Sequence, residues 1–444
     1  MGNRALGHVD IVSPTALAGW AFDPKTGRSA PIEVLMNSEV YACLVPDLER
    51  QDLKGLVSPT GRHGFSLRMD PTHFVRGVNR IVVRFADTKR VLPAGDQVVT
   101  IKSDPALIAG LSMGNTHRGL WNVMHQFVHG DVLNIEAWGI APPGARWATI
   151  LSDGEKLSLE EKFDDNLRMH LWLPKDLAAR RYKGTFRFPP GQSIMKLQFG
   201  SIGPFDLYQD LYFTSAPKLQ PTSEQMVRVA GTSDRSKFET EGISNYIKIA
   251  RLFALYGQKS LENAQVLDWG AGCGRVARYF EGNIAKLVGV DIDGDNITWC
   301  RNHLQGDFLA VDPLPPLPFA DSSFDLIYGI SVFTHLKEEH QLVWLNELAR
   351  ILAPTGIAIL SVQGATAMMI TGNSAIYSDI LFSSGFADLG INTDLDGYVE
   401  HGYYRSIAHT LGYIYDAWGK FFDVLDIKEA IIGNFQDAVV LRAR

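Results

Sequence analysis

One stretch of this sequence places an acid, three glycines and an arginine in an order that suits the binding of a polar ligand. Asp268 ends an apolar run, and Gly270, Gly272, Gly274 and then Arg275 follow it. Glycine lets a ligand approach the backbone closely and permits a positive φ in a tight turn. We expect a helix to begin at Arg275, and the N–H groups of its first turn would offer donors to the ligand.

Two further acids stand at the ends of the strands that follow. Asp291 closes the apolar run 286–291, and Asp312 comes directly after the run 308–311. Ligands of open α/β sheets bind beyond the carboxyl ends of the strands. An acid at Asp291 is placed to accept hydrogen bonds from ribose hydroxyls, and one at Asp312 could accept from an adenine amino group. With the glycine turn, these acids predict an adenosine-type cofactor.

The order of these residues separates two classes of adenosine cofactor. The dinucleotide fingerprint G-x-G-x-x-G has a small residue at its last position, where this chain has Arg275. Asp268 would repel a pyrophosphate, whereas it can accept hydrogen bonds from an ammonium group. The pattern favours a sulfonium cofactor, and a nicotinamide-dependent Rossmann oxidoreductase is the alternative.

The runs around the turn alternate between strand and helix, which predicts a parallel, doubly wound α/β sheet of the Rossmann type. Strands are predicted over 265–269, 286–291, 308–311, 325–330 and 357–362. Helices are predicted over 243–256, 275–281, 296–304 and 338–352. The runs 421–427 and 437–443 predict a closing antiparallel strand pair. We assign residues 218–444 to this domain, because the preceding linker is rich in proline.

The first half predicts a different fold, built from short extended runs between turn residues. The strand-like runs are 32–36, 65–69, 80–85, 148–151, 167–173 and 195–199. Such a pattern is typical of antiparallel β-sandwich modules. A weak internal repeat divides this half into modules at 1–105 and 112–217, with chance similarity as the alternative. The predicted fold class is therefore multidomain, with β-sandwich-like modules followed by an α/β domain.

Five tryptophans of the first half could stack on sugar rings, although tryptophans in small sandwiches are usually core residues. They are Trp20, Trp121, Trp138, Trp147 and Trp172. The first module has Gly-Trp-Ala at 19–21 and Gly-Phe at 64–65. In these features it resembles the β-rich segments attached to bacterial glycosyltransferases and related surface-glycan enzymes.

Composition argues against several function classes. The 444-residue chain has a net charge of −7 and a pI near 6.0, with no basic run to follow a nucleic-acid backbone. Its three cysteines are far apart and odd in number, which predicts a reduced, cytoplasmic protein. No signal peptide and no run of membrane-spanning length are visible. His335 and His340 do not have the i, i+4 spacing of a helical zinc pair, so no metal site is predicted.

The second half resembles class I S-adenosylmethionine-dependent methyltransferases. The resemblance runs from about Arg228 to the end of the chain. It is carried by VLDWGAGCGR (266–275), GVDID (289–293), PPLPFADSSFDLIYGISVFTHL (315–336) and LNELARILAPTGIAIL (345–360). It implies S-adenosylmethionine as the cofactor and agrees with the closing antiparallel strand pair.

The resemblance also implies a set of cofactor-binding residues. They are Asp268, Gly270, Gly272 and Gly274 at the methionine part, Asp291 at the ribose, Ile292 and Asp312 at the adenine, and Ser331 beside the cofactor and acceptor. Asp307 is the alternative to Asp312. We prefer Asp312 because a proline-rich turn follows it directly.

A long aromatic segment, about 364–420, separates the fifth predicted strand from the closing pair, and we expect it to form the acceptor pocket and lid. Its polar and aromatic residues include Tyr377, Asp394, Asp396, Tyr398, Tyr403, Tyr404, Arg405 and Tyr413. His401 and His409 are the candidate general bases, and a place in the core is the alternative for each.

The predicted reaction is O-methylation of a glycan or of another small polar acceptor. The alternative functions are an NAD(P)-dependent oxidoreductase and a non-catalytic carbohydrate-binding or scaffold protein with a methyltransferase-like domain.

Overall fold

The computed structural model describes most of the chain. The residues outside its description are 1–3, 14–15, 56, 70–73, 76, 102–119, 142–146, 153–154, 158–159, 164–177, 203–206, 217, 372–383 and 394–398. The chain divides into two compact units, one over Met1–Met113 with Ala375–Gly385 and one over Gly114–Ser374 with Phe386–Arg444. The predicted strand run 167–173 lies outside the described residues.

The first unit consists of two antiparallel sheets around one apolar core. One sheet has the order β1-β2-β7-β6, with β3 paired to β2, and the other has the order β5-β4-β8-β9. The strands are β1 (Leu6–Val12), β2 (Ala16–Asp23), β3 (Arg28–Ser29), β4 (Ile32–Met36), β5 (Glu39–Leu44), β6 (Leu48–Glu49), β7 (Arg62–Arg68), β8 (Gly77–Phe85) and β9 (Val91–Ile101). Leu17 and Phe65 of the first sheet share the core with Val34 and Val83 of the second. The predicted runs 32–36 and 80–85 lie within β4 and β8, and the run 65–69 lies in β7 except for its last residue, Met69.

The second unit begins with two more antiparallel sheets, of order β10-β11-β15-β14 and β13-β12-β16-β17. The strands are β10 (Leu120–His129), β11 (Val132–Ala141), β12 (Trp147–Ser152), β13 (Glu155–Leu157), β14 (Glu160–Phe163), β15 (Ala178–Arg187), β16 (Ile194–Ile202) and β17 (Leu207–Thr214). Leu133 and Tyr182 pack with Leu197 and Phe213 in their common core. The first half of the chain is therefore β-rich, as predicted.

Two of the tryptophans proposed to stack on sugars have described side chains. Trp138 is buried, and Trp20 is half-buried. The side chains of Trp121, Trp147 and Trp172 lie outside the described residues. Burial of Trp138 agrees with a core role for that residue.

The C-terminal half contains a seven-stranded sheet of order β20-β19-β18-β21-β22-β26-β25. Its strands are β18 (Gln265–Trp269), β19 (Lys286–Asp291), β20 (Asp307–Ala310), β21 (Phe324–Gly329), β22 (Leu352–Val362), β25 (Phe422–Ile432) and β26 (Gln436–Ala443). The pairings from β20 to β22 are parallel, whereas β26 runs antiparallel to both β22 and β25. The predicted Rossmann-like sheet with a closing antiparallel pair is confirmed.

Helices cover both faces of this sheet. They are α1 (Ser223–Ala230), α2 (Arg235–Tyr256), α3 (Gly294–His303), α4 (Glu338–Ile351), α5 (Ala365–Ile370) and α6 (Leu411–Ala417). A further strand pair, β23 (Phe386–Ile391) and β24 (Arg405–His409), is antiparallel. Among the described residues no helix is long and apolar enough to cross a membrane.

The central strands are continuous apolar runs because each face of the sheet has its own core. Val266 packs into the cluster that contains Phe253 of α2, whereas its neighbour Leu267 packs into the cluster that contains Leu345 of α4. Side chains alternate between the faces of a strand, so a strand covered on both faces needs apolar residues at every position.

The second β-rich region packs against the α/β domain within one unit. Arg251 of α2 forms an ion pair with Asp210 of β17 at 3.0 Å, and its guanidinium lies 5.3 Å from the ring centroid of Tyr212. The Ser236 hydroxyl accepts a hydrogen bond from the Val128 backbone N–H at 3.2 Å. Helix α2 therefore contacts the sheet on one side and the β-rich region on the other.

The core between α4 and the sheet leads to a prediction on stability. Leu345 is 0% exposed and Val343, on the same helix, is 47% exposed. We expect Leu345→Ala to lower the free energy of unfolding by about 2–5 kcal/mol, because it leaves a cavity. Val343→Ala is the control and should change it by no more than about 0.5 kcal/mol. Equal effects of the two variants in urea unfolding of the full chain would contradict the assigned core.

Candidate active site

A cavity opens at the carboxyl ends of the parallel strands, where the connections on either side of β18 diverge. Its walls include six predicted cofactor residues: Asp268, Gly270, Gly272, Asp291, Ile292 and Ser331. They come from the ends of β18, β19 and β21. The fold therefore brings together predicted residues that are far apart in the chain. Gly274, Asp312, His401 and His409 are not among the cavity-lining residues in the described part of the chain.

The glycine turn is held in a conformation that other residues rarely adopt. Gly270, Gly272 and Gly274 have φ values of 80°, 51° and 69°. The N–H groups of Gly270 and Ala271 both donate to the carbonyl of Val290, at 2.9 and 3.0 Å. These bonds fasten the turn to the neighbouring strand β19. A positive φ is accessible to glycine at little cost, which explains the residue type.

The glycines also allow close packing around the turn. A Cβ on Gly272 would lie 2.7 Å from Val229 of α1, and one on Gly274 would lie 2.2 Å from Leu304. Gly272 is thus needed where α1 approaches the cavity. Gly274 makes room for the end of α3, and its predicted contact with the methionine part stays a prediction.

The helix predicted over 275–281 does not form, and this prediction was wrong. Only a 3₁₀ turn, Ala277–Tyr279, follows the glycines. The left-handed Gly274 precedes it, and the side chain of Arg278 takes the carbonyls of Gly274 and Cys273 at 3.0 and 3.3 Å. The Gly274 carbonyl also accepts the backbone N–H of Arg278 at 3.3 Å, so one helical hydrogen bond remains in this turn.

Arg278 is a supporting residue that the sequence analysis missed. Its side chain is 1% exposed and also donates to the Leu219 carbonyl at 2.9 Å. Burial lowers the pKa of its guanidinium. Because carbonyls from two separate segments surround it, Arg278 fixes the underside of the glycine turn.

Asp268 lies buried at the end of β18. Burial raises the pKa of its carboxyl to about 7, and the nearby charge of Asp291 acts in the same direction, whereas Arg275 opposes it. Arg275 itself forms an ion pair with Glu241 at 2.7 Å. A carboxyl in this state gains from a cationic ligand, because the ligand's charge stabilises the ionised form.

Asp291 links the glycine turn to the loop after β19. Its carboxylate accepts hydrogen bonds from the N–H groups of Gly272 at 2.7 Å and Asp293 at 2.8 Å. Burial raises the pKa of Asp291 to about 6, although these two hydrogen bonds lower it. Asp293 in turn caps α3 and pairs with Arg228 of α1 at 3.1 Å. The acid expected at the ribose is therefore fixed in position by the backbone on both sides.

The positions of the two candidate adenine acids differ. Asp312 follows Val311 and precedes Pro313, both of which line the cavity. Asp307 stands at the amino end of β20 and pairs with Lys286 at 3.0 Å. Only Asp312 is therefore at the same edge of the sheet as Asp291, which supports the preference for it.

Ser331 has a positive φ of 59° and is held by two residues that the sequence analysis did not select. Its backbone N–H donates to the Ser361 hydroxyl at 2.7 Å, and its own hydroxyl lies 2.9 Å from the Gln436 amide nitrogen. The Ser361 hydroxyl donates to the Gln436 carbonyl oxygen at 2.7 Å. This network connects the cavity to β22 and β26.

A histidine and two tyrosines form another part of the wall: His335, Tyr403 and Tyr404. The His335 ring stacks on Tyr404 with centroids 3.9 Å apart. The Tyr403 hydroxyl donates to the Pro313 carbonyl. Tyr377, Asp394, Asp396 and Tyr398 of the predicted lid lie outside the described residues.

The two histidines predicted as bases lie elsewhere. His409 is 1% exposed, its Nε2 is 2.9 Å from the Gln341 side-chain oxygen, and burial lowers its pKa to about 3. His401 is exposed on the segment before β24. His409 has the surroundings of a core histidine, and a catalytic role for either residue stays a prediction.

Comparison with known proteins agrees with the geometry. Residues 267–360 match the family model described as a methyltransferase domain. This region is a methyltransferase domain. The match confirms the methyltransferase and the S-adenosylmethionine cofactor predicted for the C-terminal half.

Two curated proteins are similar to part of the chain. Methyltransferase GfsG of Streptomyces halstedii is 32% identical over 116 residues, which is 22% of this chain and 39% of that protein. Malonyl-[acyl-carrier protein] O-methyltransferase of Enterobacter lignolyticus is 25% identical over 105 residues, which is 24% of this chain and 41% of that protein. The matches therefore span about two fifths of the length of these relatives.

Solved structures are similar as well. Magnesium protoporphyrin IX methyltransferase from Synechocystis PCC 6803 aligns over 50% of this chain and 94% of its own, with 14% identity and a TM-score of 0.35. The PH0226 protein from Pyrococcus horikoshii OT3 aligns over 46% of this chain and 91% of its own, with 18% identity and a TM-score of 0.33.

The residues of the methyltransferase domain fit the cofactor. A buried carboxyl at Asp268 suits an ammonium group, the carboxylate of Asp291 suits hydroxyl donors, and Ile292 offers an apolar face. The glycine turn leaves space that side chains would fill.

The glycine turn makes a binding prediction. We expect Gly272→Ala to weaken the binding of S-adenosylhomocysteine at least about tenfold, because it strains a left-handed residue and displaces Val229, which lines the cavity. Calorimetric titration of the full chain measures this effect. Gly282→Ala is the control, because Gly282 has a φ of 75° and an added Cβ would meet nothing within 4 Å. If both variants bind like the wild type, the turn is not part of the cofactor site.

Proposed function

We propose that the whole chain is an S-adenosylmethionine-dependent methyltransferase that methylates a hydroxyl group of a small polar acceptor, with a glycan or glycan precursor as the predicted class. The observation that carries this proposal is that Asp268, Gly272 and Asp291 line one cavity within the matched domain. Bound there, S-adenosylmethionine supplies an electrophilic methyl group.

Each cofactor-binding residue has a proposed part. Asp268 accepts hydrogen bonds from the ammonium group, and Asp291 accepts them from the ribose hydroxyls. Ile292 packs on the adenine, and Asp312 accepts from its amino group. Ser331 lies beside the methionine part, and the glycines Gly270, Gly272 and Gly274 let the cofactor approach the backbone.

The acceptor is proposed to bind on the wall formed by His335, Tyr403 and Tyr404. Aromatic side chains with polar tips can pack on an apolar ring face and bind its hydroxyls. The relative named malonyl-[acyl-carrier protein] O-methyltransferase supports transfer to oxygen. Much of the rate of such a transfer comes from holding the two reactants in line.

The β-rich half is proposed to consist of two β-sandwich modules, at 1–105 and 112–217, before a methyltransferase domain at 218–444. In each region two antiparallel sheets share one core, which supports this interpretation. Their proposed role is to hold a glycan acceptor. The acidic net charge of −7 supports an acceptor other than nucleic acid, and the three unpaired cysteines support a cytoplasmic location.

The function is tested by incubating the full chain with methyl-labelled S-adenosylmethionine and separate probe acceptors. The probes are methyl α-D-glucopyranoside, a nucleotide sugar, a phenol and a duplex oligonucleotide. Labelled methyl ethers of the sugars support the proposal. Labelling of the phenol alone would contradict the glycan class and indicate an aromatic acceptor. The double variant His401→Ala/His409→Ala tests the two predicted bases. Unchanged turnover in this variant would contradict a role as base for both histidines.

The raised pKa of Asp268, about 7, makes a prediction on pH dependence. Only the ionised carboxyl pairs with an ammonium group, so the affinity for S-adenosylhomocysteine should rise between pH 6 and pH 8. Asp268→Asn should bind more weakly and keep only the smaller rise near pH 6 that Asp291 contributes. Calorimetry across this range measures both proteins. A pH-independent affinity in the wild type would contradict the proposed pairing.

A further inference from the structure

We infer that Nε2 of His335 is the general base that takes the proton from the acceptor hydroxyl. This inference rests on the proposed function, and it names a residue that the sequence analysis considered only for metal binding. His335 lines the same cavity as Ser331 and Asp268. It can therefore contact an acceptor bound next to the cofactor.

The hydrogen bond on the other ring nitrogen determines the tautomer. Nδ1 of His335 lies 2.7 Å from the backbone carbonyl oxygen of Arg405. A carbonyl can only accept, so Nδ1 carries the proton in the neutral ring. The lone pair is then on Nε2, which is the protonation state that a general base needs.

The ring is also held in one orientation. It stacks on Tyr404, with an interplanar angle of 18°. The N–H of Arg405 donates back to the His335 carbonyl at 3.0 Å, and the N–H of Ile407 donates to the Thr334 carbonyl at 2.8 Å. The segment around His335 is thus fastened to β24, and a fixed base contributes more than a mobile one.

His409, His340 and His303 lack this combination. His409 is enclosed in the core beside Gln341, and His340 packs near Tyr403 without lining the cavity. His303 stacks on Trp299 at the surface.

The charged and titratable groups around His335 come from several elements. They are Tyr404 and Arg405 on the β24 side, Asp388 paired with Arg405, Lys337 on its own segment, and Asp268 and Asp291 elsewhere on the cavity wall.

The proposed step balances in atoms and charge. The acceptor oxygen forms a bond to the methyl carbon, and the carbon–sulfur bond breaks with its electron pair passing to sulfur. The acceptor proton passes to Nε2, which becomes part of an imidazolium. A base is needed for an alkyl hydroxyl, whereas an acceptor that is already anionic needs none. If His335 is the base, the expected acceptor group is a weakly acidic hydroxyl, such as those of sugars.

The kinetic test compares His335→Gln with the wild type on two probes, methyl α-D-glucopyranoside and 4-nitrophenol, by the formation of S-adenosylhomocysteine. We expect kcat for the glucoside to fall about 10²–10⁴-fold and to lose its acidic limb in the pH profile. The rate with 4-nitrophenolate should change far less. His303→Gln is the matched control and should behave as the wild type.

A spectroscopic test does not depend on turnover. Long-range ¹H–¹⁵N spectra of the full chain, with the His335 signals assigned from their loss in His335→Gln, should show the Nδ1–H tautomer at pH 8. The Nε2–H tautomer, or equal losses with both probes, would overturn the base role. If neither probe is methylated, the observed tautomer of His335 decides whether the base role stands.

Failure of the proposed function and failure of the base role give different results. Wild-type protein that does not bind S-adenosylhomocysteine contradicts the proposed function. Unchanged glucoside turnover in His335→Gln, with S-adenosylhomocysteine bound normally, contradicts only the role of His335.

Discussion

The site depends on the attachment of the glycine turn to the strand beside it. Two N–H groups of the turn donate to the Val290 carbonyl, and a third, from Gly272, donates to the carboxylate of Asp291. In this turn Gly270 and Gly272 have positive φ angles, which glycine adopts at little cost. Gly272 is expected to bind the methionine part and Asp291 the ribose. The hydrogen bond between them fixes the position of each relative to the other.

Arg278 and helix α1 contact the glycine turn on two different sides. Arg278 binds the carbonyls beneath it, and α1 packs Val229 against Gly272 from the other side. Arg228 of the same helix pairs with Asp293, which also caps α3. Elements that precede and follow the turn in sequence therefore meet around it, and a change in any of them alters the same cavity.

The sequence predicted the features that depend on local residue type and strand order. Asp268 and Asp291 each end an apolar run, and neighbouring parallel strands bring their carboxyl ends to one edge of the sheet, so the common location of the two acids was predictable. Local pattern favours a helix after the glycines, because Arg275, Ala277 and Arg278 are good helix formers. Only a 3₁₀ turn forms there, beside the buried side chain of Arg278, whose partners include a residue 59 positions away.

Gln436 and His335 were missed as site residues because their partners lie far away in the chain. Ser331 meets Gln436 across 105 positions, and His335 meets Arg405 across 70. Contacts between residues so far apart in the chain do not follow any local sequence pattern. His401 and His409 are polar residues in an aromatic segment, which favours them as bases, but β24 directs His409 into the core and brings Arg405 to His335. Composition of a segment indicates a region for the acceptor, whereas strand register decides which side chains face it.

The most direct test of the central claim is calorimetry of the full chain with S-adenosylhomocysteine and, separately, with NAD. We predict binding of S-adenosylhomocysteine, no measurable binding of NAD, and at least about a tenfold loss of affinity in Asp291→Ala, because hydrogen bonds to a charged group are lost. Asp307→Ala, at the opposite end of its strand, should bind as the wild type does. Tight binding of NAD with no response to S-adenosylhomocysteine would contradict the assigned cofactor site.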